Sequence, residues 1–203
     1  MHNTRRTEED RQKALGAMLP GQDLVVAGKI AQSGVSEAAQ YFQEELRERF
    51  SDSFLEKAVQ VVSIPPKADE IWKKAGAEAI LEAGEGGIFA CLWELSGLFQ
   101  KGFTVELQQI PVRQDTIELC EVMGLNPYRL ESRECIVFTA QNGYDAVRFL
   151  QARGIQAAWI GKVEKEIRCR IMNDGIEGFL ERPREDELSK AKVHKKCGAV
   201  QIS

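Results

Sequence analysis

The 203-residue chain has room for one sizeable domain plus an arm or tail. Its 43% hydrophobic and 29% charged residues form a globular balance, which excludes a disordered or low-complexity chain. A formal charge of -4 argues against a nucleic-acid partner, no apolar run reaches the length of a membrane span, and the charged start MHNTRRTEEDRQK lacks a secretory signal's apolar stretch, so a cytoplasmic protein is expected.

Residues 1–22 read as an N-terminal arm with some helical content, because Glu8, Glu9 and Asp10 follow Thr7 where a helix start favours acids. DLVVAGKI (23–30) then reads as a strand. From Ser36 the apolar positions Ala38, Ala39, Phe42, Leu46 and Phe50 recur at helical spacing, which predicts one helix. A second helix is expected from Ser53 through Val62, stopping before Pro65-Pro66, and a third over 68–75, ending at Gly76.

Past Gly76, AEAILEA reads as a short strand leading to glycines. Ile88, Cys91, Leu92, Leu95 and Phe99 mark one helix face, and Ala90, Trp93 and Leu98 make the rest apolar, so this helix is expected to be buried nearly all round. FTVELQQI (103–110) is a strand ended by Pro111. Asp115-Thr116-Ile117-Glu118 has capping-box spacing for a helix to Met123, with Gly124 as its stop. CIVFTA (135–140) is a buried strand, Asn142-Gly143 turns into a helix, and QAAWIGKV (156–163) is another strand. Asn173-Asp174-Gly175 is a hairpin turn signal between EIRCRIM and EGFLE. The order implies an α/β sandwich, with a mixed sheet covered by helices, over residues 23–188. Residues 189–203 read as a basic flexible tail carrying Lys190, Lys192, Lys195 and Lys196.

The five cysteines are far apart and form no CxxC pair. Cys91, Cys120, Cys135 and Cys169 sit in apolar runs, where a free thiol behaves as a small buried hydrophobe. Cys197 with His194 supplies two ligands, short of the four a structural zinc takes. Trp72, Trp93 and Trp159 fall in apolar patterns and read as core.

The stretch LEAGEGG (81–87) precedes the apolar helix. Backbone N–H groups at a helix start can hold a phosphate, so Gly84, Gly86 and Gly87 are candidate phosphate- or ligand-binding positions. The alternative is that these glycines only allow the helix to pack closely. Glu82 and Glu85 beside them would repel an anion, or would favour the helix N-terminus. Arg113, after Ile110-Pro111, could bind a phosphate or carboxylate, or form a surface ion pair.

Three segments in order, GEGGIFACLWEL (84–95), IPVRQDTIELCEVMGLNPYRL (110–130) and GIQAAWIGKV (154–163), resemble the C-terminal domain of the aminoimidazole ribonucleotide (AIR) synthase-related superfamily, with hydrogenase expression/formation proteins as the branch most like it. The resemblance covers about Asp23 to Leu188. It implies ATP and magnesium as cofactors, and activation of an amide oxygen by phosphoryl transfer. In that family an N-terminal domain supplies the dimerising sheet and an aspartate cluster. Only about twenty residues precede Asp23 here, with Asp10 the one aspartate among them, so no cofactor is expected for the chain by itself, and ATP and magnesium only with a partner chain.

The hydrogenase-maturation branch typically reads His-Asp-Val-Thr-Glu-Gly-Gly at the glycine stretch. This chain has Leu81 for the His, Glu82 for the Asp and Gly84 for the Thr, leaving Glu82 as the sole weak catalytic candidate. LESREC (130–135) carries Arg133 and Glu134 where the family has small residues. Cys197 is followed by GAVQIS, unlike that branch's C-terminal cysteine. The expectation is a domain that is not a complete catalyst alone and acts as a binding module or subunit. Its partner would be a second copy, as a homodimer, or a separate N-terminal-type ATP-binding subunit. The alternatives are half of a split ATP-dependent ligase or dehydratase, and a small-molecule effector binder.

Overall fold

The run Leu24-Val25-Val26-Ala27 is apolar at every position because the strand it forms, β1 (Asp23–Ala27), is buried on both faces. The computed structural model describes residues 16–183 and 185–193. Around β1 lie β2 (Ile80–Glu82), β3 (Gly102–Glu106), β4 (Ile136–Ala140), β5 (Ala157–Glu164), β6 (Cys169–Asn173) and β7 (Ile176–Phe179). They form one seven-stranded sheet in the order β2-β4-β1-β5-β3-β6-β7. All neighbours are antiparallel except β3 and β6, so the sheet is mixed, as the sequence implied.

Helices α1 (Gln32–Ala38), α2 (Gln43–Arg49), α3 (Asp52–Ala58), α4 (Glu70–Lys74), α5 (Gly87–Phe99), α6 (Gln114–Met123) and α7 (Gly143–Gln151) cover it. One face carries Leu24, Val26, Leu81, Phe103, Val105 and Val137 and packs beneath α1, α2, α5 and α6. The other carries Val25, Ala27, Ile80, Ile136 and Phe138 and packs against α4 and α7 through Trp72, Ala146 and Leu150. Among the described residues, no helix is long and apolar enough to cross a membrane.

Several expectations need correction. The helix predicted from Ser36 to Phe50 is two helices, α1 and α2, broken at 39–42; the apolar period persists because Phe42 sits buried at the corner and Leu46 continues the same face. The Asp115 capping box is not formed. α6 starts at Gln114 with Arg113 as N-cap and no side-chain cap, and Thr116 is fully buried. Gly124 does end it, at φ 64. On α5, Trp93 is 38% exposed and Gly97 is exposed, so the helix is not buried all round. Its outer edge is apolar yet faces solvent.

The boundaries also move. Met18 is already in the core, ahead of Asp23. At the other end residues 188–193 are helical (α8), with Leu188 and Ala191 buried in the larger core layer, where a flexible tail was expected from 189. The helical content expected near Thr7, and the pair His194 and Cys197, lie outside the described residues. Cys91, Cys120 and Cys135 are buried, and burial with the nearby Glu187 charge pushes the Cys120 thiol up to about 12. Cys169 is half-buried, its thiol donating to Ser96 Oγ at 3.2 Å.

Candidate functional site

The glycine stretch ends in two left-handed residues, Gly86 at φ 78 and Gly87 at φ 66, which turn the chain from β2 into α5. A Cβ on Gly87 would stand 2.6 Å from the Leu130 carbonyl oxygen and 2.7 Å from that of Tyr128, so the helix start is pressed onto 128–130. The Gly84 carbonyl accepts from Gly87 N–H at 3.0 Å and from Ser132 N–H at 3.2 Å. Gly86 and Gly87 thus meet backbone and packing needs that glycine serves.

The Gly86 N–H, which could have met a phosphate, donates to Asp186 Oδ2 at 2.6 Å. The other oxygen of that carboxylate accepts from Leu188 N–H at 2.7 Å, at the start of α8. Asp186 is 8% exposed. Burial pushes its carboxyl above the ordinary aspartate value, the two N–H bonds oppose this, and Glu85 and Glu187 add to the rise. A side chain 100 residues away thus fills the anion position at the α5 start.

The other departure from the family pattern, LESREC, closes a second helix start. Glu134 Oε1 accepts from Gln32 N–H at 2.6 Å and Oε2 from Ser33 N–H at 3.2 Å. Ser132 Oγ accepts from Ala31 N–H at 2.8 Å, while Ser33 Oγ donates to the Glu131 carbonyl at 3.1 Å. Burial raises the Glu134 carboxyl against the pull of its bonds from Ser33 and Gln32. A third carboxylate, Asp23, accepts from Gly143 N–H at 2.8 Å where α7 begins, and from Trp159 Nε1 at 3.0 Å. There burial pushes the carboxyl up, and the bonds from Gly143, Lys162 and Trp159 together outweigh it and hold it low.

Between α1, the α5 start, 131–133 and α8 runs a groove of about 480 Å³ lined by Glu37, Glu85, Glu131, Arg133, Asp186 and Lys192, among others. A neighbouring cavity of about 410 Å³ shares Glu37 and Arg133 and adds Ser33, Ser36 and Tyr41. Both cations are engaged: Lys192 Nζ lies 3.2 Å from Glu37, and Arg133 lies 3.2 Å from Glu131. Burial raises the Glu131 carboxyl, Arg133 opposes, and Asp186, Glu37 and Glu85 reinforce the rise.

The remaining candidates stand elsewhere. Glu82 alternates with Leu81 and so projects to the Ile80 side of the sheet, away from α5. It accepts from Lys67 N–H at 3.2 Å. The Arg113 guanidinium donates to the Lys57 and Gln60 carbonyls at 2.9 and 2.8 Å and pairs with Asp115, tying α6 to the end of α3. Gly84, Gly86 and Gly87 therefore come together with 131–134 and α8, while Glu82 and Arg113 do not line this groove. The sequence reading missed Asp186, and took Glu134 only as added bulk and charge.

The donor set does not fit a magnesium–triphosphate group as it stands. The groove is predominantly acidic, its two cations are paired, and the Gly86 N–H is already bonded to Asp186. Among the described residues, no group of three His, Cys, Asp or Glu could hold a metal ion.

No protein-family model matches the sequence. The chain is 25% identical over 158 residues to the phosphoribosylformylglycinamidine synthase subunit PurL of Caldanaerobacter subterraneus, which covers 73% of this chain and 20% of that protein. In fold it is similar to the hydrogenase maturation protein HypE of E. coli, with a TM-score of 0.68, 20% identity, and 86% of this chain matched to 53% of that one. A HypE structure in complex with ATP matches with a TM-score of 0.66 at 18% identity, over 84% of this chain and 53% of that one. The chain thus spans about a fifth of the curated relative and about half of the solved chains. The chain is thus similar in sequence to PurL and in fold to HypE, in each case over one part of the longer protein.

Proposed function

We propose that this AIR synthase-related domain is a binding or interaction module, or one subunit of a larger assembly, and not a complete catalyst by itself. The carboxylate of Asp186 on the Gly86 N–H carries the reading, because the backbone donor best placed for a phosphate is taken by the chain's own anion. Glu85 and Glu131 surround it with more negative charge, and a triphosphate would have to overcome that field. Calorimetry with MgATP tests this directly. The isolated chain is expected to give no binding heat, and tight binding would overturn the proposal.

A second reading is half of a split ATP-dependent ligase or dehydratase, favoured by the ATP-bound HypE that shares this fold. A partner chain would then bring the cations the groove lacks, with Gly84, Gly86 and Gly87 as the phosphate cradle once Asp186 withdraws. MgATP binding that appears only when an N-terminal-type subunit is added would support it. A homodimer is the simpler assembly, and light scattering that returns a monomer would argue against that part.

A further inference from the structure

The segment 185–193 is held to the rest of the domain by unequal means. Its apolar anchors are Leu188 and Ala191. Glu187 N–H donates to the Arg129 carbonyl at 3.3 Å, and Glu187 Oε2 accepts from Asn126 N–H at 3.2 Å. Lys192 reaches Glu37 across solvent, at 3.2 Å. At its centre Asp186 joins the two sides through Gly86 N–H and Leu188 N–H.

The charges that face Asp186 come from every element packed against it. Glu85 stands before α5, Glu131 and Arg133 precede β4, Glu37 is on α1, and Glu185, Glu187 and Lys192 flank it on its own segment. Arg133 is turned to Glu131 and Lys192 to Glu37, so neither cation is given to Asp186. Docking the segment therefore brings Asp186 and Glu185, with Lys192 already paired to Glu37, into a half-enclosed acidic groove.

We infer that residues 185–193 form a pH-responsive latch over the start of α5, tightened by protonation of Asp186 and Glu131 and loosened when both are ionised. Opening would uncover the Gly86 N–H and the groove beneath, while the sheet and α5 stay in place. The direction follows from linkage. Burial and neighbouring carboxylates raise both Asp186 and Glu131, so the docked form binds protons more tightly than the open form. Docking stability is then fully present below the ordinary carboxylate values and is lost as pH rises through the raised ones.

Native-state hydrogen exchange on the full chain tests the latch, with rates corrected for the intrinsic base dependence of exchange. The Gly86 and Leu188 amides should open more readily as pH rises across the acidic range, by up to about tenfold per pH unit for each proton released. The Val137 amide, in the central part of the sheet, should not follow them. An equal slope at Val137, or no slope at Gly86, would overturn the inference. The variant Glu131→Gln removes one facing charge and leaves Asp186 intact. It should raise Gly86 protection at neutral pH by about fivefold, the size of one unit-charge interaction at a half-buried site. Unchanged protection in that variant, with its fold intact, would equally overturn it.

Discussion

Of the three helices that begin against a carboxylate from a distant segment, α1 and α5 differ most in what carries it. At α1 it is Glu134, in the turn that feeds the buried strand β4; it is 4% exposed and continuous with the sheet. At α5 it is Asp186, on a surface segment anchored by two apolar residues and surrounded by acids. The first cannot withdraw without disturbing β4. The second can withdraw with only residues 185–193. Similar local chemistry, an acid on helix N–H groups, thus serves as a fixed joint at one site and as a removable one at the other.

The largest effect should come from the fixed joint. Glu134→Ala leaves the buried Gln32 and Ser33 N–H groups without acceptors and removes a charge-assisted pair of bonds. A loss of about 3 kcal/mol is expected in denaturant unfolding. Glu134→Gln keeps the shape and one of the two acceptors but sets its NH2 against the other backbone N–H, and should cost less than the Ala change, about 1–2 kcal/mol. Because burial raises the Glu134 carboxyl, its contribution is greatest below the ordinary glutamate value and declines as pH rises through the raised one. The Gln variant should therefore show a flatter stability profile across that acidic window. A loss from Glu134→Ala no larger than that from Asp186→Ala would remove the distinction between the two joints.

Neither joint could be read from local sequence, since Glu134 caps a helix 102 residues earlier and Asp186 one 100 residues earlier. What was legible had local causes. β1 and β4 showed as apolar runs because both of their faces are covered. The Asn173-Asp174-Gly175 hairpin showed because Asp174 at φ 50 and Gly175 at φ 78 need residues that tolerate a left-handed backbone. The helix start at Gln32 was invisible because side chains of Ser132 and Glu134 satisfy its first N–H groups, so no local cap is needed. Trp93 misled for the opposite reason: an apolar residue carries no label saying whether its face is covered. The glycine stretch was correctly placed before α5, but its partner Asp186 lies 100 residues further on, in the closing residues of the expected domain, where no local pattern marks it.

The turn that both readings share can be probed next. Gly87→Ala places a side chain at φ 66 and against two backbone carbonyls at 2.6 and 2.7 Å, neither of which can swing aside. About 2 kcal/mol of destabilisation is expected from the strained backbone and the crowding together. If the Gly87→Ala variant showed no loss in thermal unfolding, the contact with 128–130 would not be the tight junction described above. Asp186→Ala should cost less, about 1 kcal/mol, in the range of a lost helix cap. Its cost cannot exceed the free energy that docks the segment, because an opened segment no longer reads the substitution.

The smallest effect is expected at Lys192, and it sharpens the contrast most. Its ammonium lies 3.2 Å from Glu37, but the lysine side chain is 51% exposed and the glutamate 33% exposed, so solvent screens the pair. Lys192→Ala should lower global stability by no more than about 0.5 kcal/mol in chemical denaturation. The same change frees Glu37 to add its unpaired charge to the groove that receives Asp186. Exchange at Gly86 should therefore quicken severalfold at neutral pH while exchange at the Gln32 amide, held by Glu134, stays as it was. Equal acceleration at both amides would mean that the two helix starts open together, and that the surface segment has no independence from the core.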